Sequence, residues 1–192
     1  MLNPAITLAM ALVREITVVR AVVCFFAQIG GGILGAFLVQ LLFPGPLDQV
    51  RTRLGHGTSI VQGVFMEALV TAELVTTVLM LARERCERNV IAAIAIGTSV
   101  FIAHLVGMPF TGVGMNPVRS FSPDVLTITF EKYHWIYCKP FILIEHTKSV
   151  QLIMVGVGPT IGSLIGVCLY KLSGFLTWED DRLSRPRLDL MV

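Results

Sequence analysis

Charged side chains are scarce in this sequence. Asp, Glu, Lys and Arg make up 15% of its 192 residues, whereas soluble domains typically carry about 25%. The formal net charge is only +2, and no basic face gathers along the chain, so a nucleic-acid partner is not expected. Hydrophobic residues make up 54% of the sequence, and its mean hydropathy is +0.75. Long apolar runs of this kind are typical of a membrane protein.

Groupings of reactive side chains are also missing. The four cysteines have no spacing typical of a metal site. Cys24 and Cys168 lie in apolar runs, where Cys packs as a small hydrophobic residue. The sequence has no carboxylate pair, nucleophile with a nearby base, or phosphate-binding loop. It therefore predicts no enzyme activity, no metal site and no cofactor.

Two short motifs place Asn directly before Pro. They are Asn3-Pro4-Ala5 and Asn116-Pro117-Val118, and both are embedded in apolar sequence. Asn is a favoured N-cap, and Pro fits the first helical position because its missing N–H would be unpaired there anyway. Two such copies predict two short helices whose N-terminal ends meet near the bilayer midplane, as in inverted-repeat membrane proteins. We therefore expect Asn3 and Asn116 to lie within contact range of each other.

These two motifs resemble the signature motifs of the aquaporin, or major intrinsic protein, family, and the similarity is closest to fungal water channels. Val118 stands where the family usually has Ala. The resemblance covers nearly the whole chain. It implies an all-α polytopic membrane protein, an aquaporin-like right-handed helical bundle with two re-entrant half-helices. It also implies a homotetramer in a lipid bilayer. The family has six full spans, so the expectation is that the first two spans are missing and that the chain is N-terminally truncated.

The apolar runs predict the elements of a transmembrane domain over residues 1–177. The half-helices are expected at 3–13 and 116–127, and full spans at 18–43, 61–81, 90–106 and 155–176. Residues 138–154 fit neither a span nor a tight loop and are an atypical insert, either a retained intron or a genuine loop. Residues 178–192 are expected to form a disordered, charged cytoplasmic tail. Lys and Arg are more frequent on the side of this tail, which favours a cytoplasmic C-terminus.

Two glycine patterns predict close contacts between helices. Gly31 and Gly35 lie four apart in the first full span, and Gly158, Gly162 and Gly166 lie four apart in the last. Small residues at this spacing allow two helix backbones to approach closely.

The resemblance assigns roles in a pore to five polar or constricting residues. The side-chain amides of Asn3 and Asn116 would donate hydrogen bonds to a passing water molecule and interrupt a proton wire, while the half-helix dipoles repel cations. His104, Val113 and Arg119 would form the selectivity constriction. An Arg at this depth must face water or a partner, because exposure to lipid is costly. The aromatic fourth wall that the family takes from its second span is absent.

Three further polar residues lie within the predicted spans. By resemblance, Glu67 would support the backbone of a re-entrant loop. Gln28 matches a Gln of the family and is expected to hydrogen-bond to a neighbouring helix. Glu73 stands where the family usually has Gln, and it either faces a cavity or remains protonated.

The leading hypothesis is a passive water channel in the plasma membrane or an internal membrane. Ser120 together with His104 resembles the water-selective branch of the family rather than the glycerol-conducting one. One alternative is a facilitator for glycerol or other small neutral solutes, and another is a non-conducting, truncated membrane subunit. We expect the 192 residues alone to conduct little or no water, because without two spans the polar pore face would meet lipid.

Overall fold

The structure is a computed structural model that describes residues 1–55, 57–83, 89–130, 132–137 and 156–184. Within these ranges the chain is all α-helical, with no strand, in agreement with the predicted fold class. The helices are α1 Pro4–Leu12, α2 Val18–Leu42, α3 Ile60–Arg83, α4 Asn89–Thr111, α5 Pro117–Thr127 and α6 Val157–Ser184, with 3-10 turns at Leu47–Val50 and His134–Ile136. The predicted insert at 138–154 and the chain beyond Ser184 lie outside the described residues.

Four helices are long and apolar enough to cross a membrane, namely those over Val18–Leu42, Ile60–Ala82, Val90–Thr111 and Val157–Leu176. The other two, α1 and α5, have 9 and 11 residues. At a rise of about 1.5 Å per residue, each covers roughly half of the ~30 Å hydrocarbon core. The described chain therefore contains four spans and two half-spans.

The two half-helices run in opposite directions from a common point. Ala9 of α1 packs against Leu79, near the end of α3. The end of α5, in contrast, contacts the loop that precedes α3. We call the membrane side with the 43–59 loop the loop side, and the side where α3 ends the connector side. On this basis α1 points to the connector side and α5 to the loop side.

Glycines of α6 form its contact with α3, as their spacing predicts. A Cβ added at Gly162 would lie 2.5 Å from the carbonyl oxygen of Ala68, and one at Gly166 would lie 2.7 Å from Cγ1 of Val75. Real Cβ atoms do not come this close, so only glycine permits this separation of the two helices.

Within the described chain, α2 makes its close contact through a glycine other than the predicted pair. A Cβ at Gly31 or Gly35 would meet no atom of the described chain within 4 Å, whereas one at Gly32 would lie 2.3 Å from Cγ1 of Val118. The reason is that α2 packs on α5 through the face that contains Ile29 and Gly32. The spacing identified a small-residue pattern, but the position of the partner helix determines which glycine is in contact.

Two predicted boundaries also differ from the structure. Helix α4 was expected to end at 106 but continues through Pro109 to Thr111. The carbonyl of Phe110 accepts a hydrogen bond from the amide of Gly55 at 2.8 Å, so this late turn is supported from outside the helix. The tail was expected to be disordered from 178, yet α6 continues to Ser184, since no proline interrupts the chain before Pro186.

Candidate functional site

The two predicted Asn residues cap the half-helices. Oδ1 of Asn3 accepts a hydrogen bond from the amide of Ala5 at 2.9 Å. Oδ1 of Asn116 accepts from the amides of Val118 at 3.1 Å and Arg119 at 3.4 Å. Both Asn residues have extended backbones, with φ of −138° and −134°. Because each side-chain oxygen is used by its own helix, each side-chain nitrogen is left to donate elsewhere.

These nitrogens join the tips of the two half-helices. Nδ2 of Asn3 donates to the carbonyl of Met115 at 3.1 Å, and Nδ2 of Asn116 donates to the carbonyl of Leu2 at 2.9 Å. Each Asn thus bonds the residue just before the other Asn, and the expected convergence of the two tips is confirmed. An amide group carries two N–H donors, so one N–H of each Asn remains for another partner. Asn3 is 7% exposed, and Asn116 is the more accessible of the two.

The loop before α5 has an unusual backbone that Glu67 supports. Val113 and Met115 have φ of 51° and 48°, a left-handed conformation that is uncommon for residues other than glycine and especially for a β-branched one. The turn directs two amides toward α3, where the carboxylate of Glu67 accepts from Gly114 at 2.8 Å and from Met115 at 2.9 Å. Glu67 is fully buried, and these bonds satisfy both of its oxygens.

Half-helix α1 is held from two neighbouring helices. Nε2 of Gln28 donates to Oγ1 of Thr7 at 2.8 Å and to the carbonyl of Met1 at 3.2 Å. Oγ of Ser163 in α6 shares its single proton between the carbonyl of Ala5, at 3.0 Å, and that of Pro159 in its own helix, at 2.8 Å. The sequence reasoning missed Ser163. Its position next to Gly162, on the glycine-rich face of the last span, was the signal that could have identified it.

Arg119 lies between two cavities that follow the length of α2. One has a volume of about 410 Å³ and is lined by Met1, Leu2, Cys24, Ala27, Gln28, Gly31, Gly32, Asn116, Val118 and Arg119. The other measures about 240 Å³ and is lined by Gly32, Ala36, Val39, Leu47, Val50, Arg119, Ser122 and Pro123. Because Gly32 and Arg119 belong to both, the cavities adjoin, and we call them together the α2 furrow. Nη1 of Arg119 is buried and has no hydrogen-bond partner among the described residues.

The other two residues of the predicted constriction lie elsewhere. Val113 is fully buried in a cluster with Val70 and Met115, so its side chain does not face open space. Nδ1 of His104 is 2.8 Å from the carbonyl of Val100, within its own helix. Neither residue lines the two cavities of the α2 furrow. The structure therefore brings Asn116 and Arg119 together, with His104 and Val113 outside that lining.

Among the described residues, the carboxylate of Glu73 has one hydrogen-bond partner. Its Oε2 accepts from Oγ of Ser99 in α4 at 2.8 Å, and the residue is exposed at the surface of α3. Unlike Glu67, it forms no hydrogen bond to the described loop before α5.

Comparisons with known proteins agree with this architecture. The family model described as "Major intrinsic protein" matches residues 1–170. A "Probable aquaporin-5" of Gibberella zeae is 48% identical over 187 residues, which are 97% of this chain and 30% of that protein. "Aquaporin-7" of Botryotinia fuckeliana is 45% identical over 177 residues, or 92% of this chain and 35% of that protein. The chain thus spans about a third of the length of these curated relatives.

A solved structure, that of an aquaglyceroporin from Plasmodium falciparum, has a similar fold. It superposes with a TM-score of 0.71 at 20% sequence identity, covering 92% of this chain and 74% of that one. At this identity the likeness concerns the fold alone.

Proposed function

This chain belongs to the major intrinsic protein family, a family of membrane channels, and we propose that it forms the conducting part of a passive, water-selective channel. The observation that carries the proposal is the junction of α1 and α5. Two helix N-termini meet there through reciprocal hydrogen bonds from Asn3 and Asn116, and Arg119 lies one turn further on.

The charges at this junction suit a neutral permeant. Each half-helix contributes roughly half a positive charge at its N-terminus, and Arg119 adds a full one. Together they repel cations, including hydronium. The unused N–H of Asn116 is able to donate to the oxygen of a passing water molecule and fix its orientation. A molecule held in this way cannot relay a proton in both directions.

His104 lies outside the α2 furrow and is proposed to narrow the path for water beyond it. Val113 would contribute through its backbone carbonyl, because its side chain is buried and its amide donates to Oγ1 of Thr111. Nδ1 of His104 is occupied by Val100, which leaves the other ring nitrogen for a permeant. The large apolar side chains exposed on α2 and α4 suit contact with lipid or with neighbouring copies in a homotetramer. A cytoplasmic C-terminus completes the proposal.

Glycerol transport is the second candidate, because the wall of the α2 furrow beside Arg119 is mostly apolar. Its lining includes Ala27, Gly32, Ala36 and Val39. A path with one charged side and one apolar side fits the hydroxyl groups and the carbon backbone of a polyol.

Stopped-flow light scattering on proteoliposomes tests both candidates. The chain is reconstituted alone and fused behind the segment that precedes the matching region in the Gibberella zeae relative. We expect water flux with a low activation energy from the fused protein and little glycerol flux. Water flux no faster than that of empty liposomes, from both proteins, would contradict the channel proposal. Glycerol flux comparable to water flux would favour the second candidate.

A further inference from the structure

A buried ion cluster lies at the loop-side end of α5, away from the Asn junction. Asp124, in the last turns of α5, is fully buried. Its Oδ1 accepts from Nε of Arg51, and its Oδ2 lies 2.7 Å from Nδ1 of His134. The side chain of Arg51 is 0% exposed. The three residues come from three separate segments: the 43–59 loop, α5 and the 3-10 turn His134–Ile136.

Every nitrogen of the Arg51 guanidinium has an acceptor. Besides Asp124, Nη1 donates to Oδ1 of Asp48 at 2.9 Å and Nη2 donates to the carbonyl of Thr129 at 2.6 Å. Burial lowers the pKa of Arg51, but its hydrogen bonds to Asp124 and Asp48 outweigh this and raise it. The hydrogen bond from Arg51 in turn lowers the pKa of Asp48. The guanidinium group of Arg51 is planar and permanently charged, and its three hydrogen-bond acceptors hold the 43–59 loop in one position.

The clamped loop forms one wall of the α2 furrow. Leu47 and Val50 line the same cavity as Arg119. Asp124 and Arg119 belong to the same 11-residue helix, so a group that fixes one end of α5 also limits movement of the other. The loop is in addition tied to α4 by the hydrogen bond from the amide of Gly55 to Phe110.

We propose that Arg51 and Asp124 are positioning residues for permeation: their buried ion pair holds the 43–59 loop on the end of α5 and thereby fixes the opening beside Arg119. This inference rests on the proposed channel function. Loss of the pair leaves Asp124 with His134 alone, or Arg51 with Asp48 and Thr129 alone. The loop is then held less firmly and moves outward, and the apolar wall at Leu47 and Val50 retreats. The opening then widens for solutes larger than water. His134 supports the same carboxylate from the opposite side.

The first measurement does not depend on transport. Thr52 is 1% exposed within the clamped loop, so Thr52→Cys should react slowly with a water-soluble maleimide. We expect labelling to accelerate several-fold when Arg51→Ala or Asp124→Asn is added. Arg53→Ala is the matched control, because Arg53 pairs with the same Asp48 but its side chain is 41% exposed, and labelling should stay slow. Unchanged labelling in both Arg51→Ala and Asp124→Asn would overturn the clamp.

The second measurement is the ratio of glycerol to water permeability in proteoliposomes. We expect the ratio to rise several-fold in Asp124→Asn and Arg51→Ala. It should rise less in Arg51→Lys, which keeps the positive charge but loses the planar guanidinium group. It should stay constant in Arg53→Ala. If Asp124→Asn and Arg51→Ala fail to fold, the permeability ratio of Arg51→Lys still tests the proposal. Faster labelling with an unchanged ratio would overturn the positioning role. A parent protein without water flux would contradict the channel proposal, while the labelling result would still decide the clamp.

Discussion

At the scale of single residues, the loop between α4 and α5 depends on one carboxylate. Val113 and Met115 hold left-handed backbones that are costly for side chains other than glycine. Glu67 compensates by accepting from the amides of Gly114 and Met115. Without it, two buried N–H groups would lack partners and the entry to α5 would lose its shape.

Glu67→Gln should therefore destabilise the protein, because the amide has only one acceptor oxygen for two N–H donors. We expect a loss of about 1.5–3 kcal/mol, the range for hydrogen bonds to a charged group, read as a lower unfolding temperature in detergent. Glu73→Gln is the matched control on the same helix, since Glu73 is exposed and bonds only Ser99. An equal shift in both variants would argue against the special role of Glu67.

Substitution of His104 tests the selectivity at the same scale. His104→Ala, in the fused protein, should raise glycerol permeability while water permeability persists, because it removes bulk and a fixed polar group. The measurement is swelling of proteoliposomes in glycerol gradients. Ile102→Ala is a suitable control, since Ile102 lies on the same helix and is 50% exposed. If the His104→Ala variant still excludes glycerol, His104 does not line the selectivity constriction.

At the scale of elements, the pairing of α3 with α6 is the most extensive helix contact in the described fold, and glycine makes it possible. A Cβ at Gly162 would press on the backbone carbonyl of Ala68 and the side chain of Thr71. Backbone atoms cannot rotate away as a side-chain end can. The same helix carries Ser163, whose hydrogen bond to Ala5 ties α1 to this pair. Displacing α6 would consequently disturb the half-helix as well.

Gly162→Ala should lower the stability of the protein by about 1–3 kcal/mol, the usual range for overpacking. Gly35→Ala should be neutral or slightly stabilising, because a methyl group there meets nothing within 4 Å. The substitution also lowers the conformational entropy of the unfolded chain, which favours the helix. Thermal unfolding of the two variants in detergent measures the difference. Equal stabilities would show that α3 and α6 can separate without cost.

At the scale of the whole molecule, the two half-helices divide the membrane between them. The end of α5 reaches the 43–59 loop through Arg51 and Asp124, whereas α1 packs toward the end of α3 through Ala9 and Leu79. The loop side and the connector side are therefore opposite faces of the membrane. The excess of basic residues on the connector side predicts that this side faces the cytoplasm, under the positive-inside rule.

We expect the 43–59 loop to lie outside the cytoplasm. An N-glycosylation acceptor inserted beside Gly57 should be modified in microsomal membranes, and an acceptor added after Val192 should not be. Protease protection of a C-terminal tag in sealed vesicles provides an independent control. Glycosylation of the C-terminal acceptor alone would show that the protein has the opposite orientation in the membrane.

Features that depend on local chemistry could be predicted from the amino-acid sequence. Asn before Pro caps a helix wherever the chain permits one, so Asn3 and Asn116 identified both half-helices, and apolar length identified the four spans. Which surfaces meet could be read only from the three-dimensional fold. It selected Gly32 rather than Gly31 as the contact with α5, and it paired Arg51 with Asp124, which lie 73 positions apart. Such contacts depend on where a second helix or loop lies, and the spacing of residues along one helix does not contain that information.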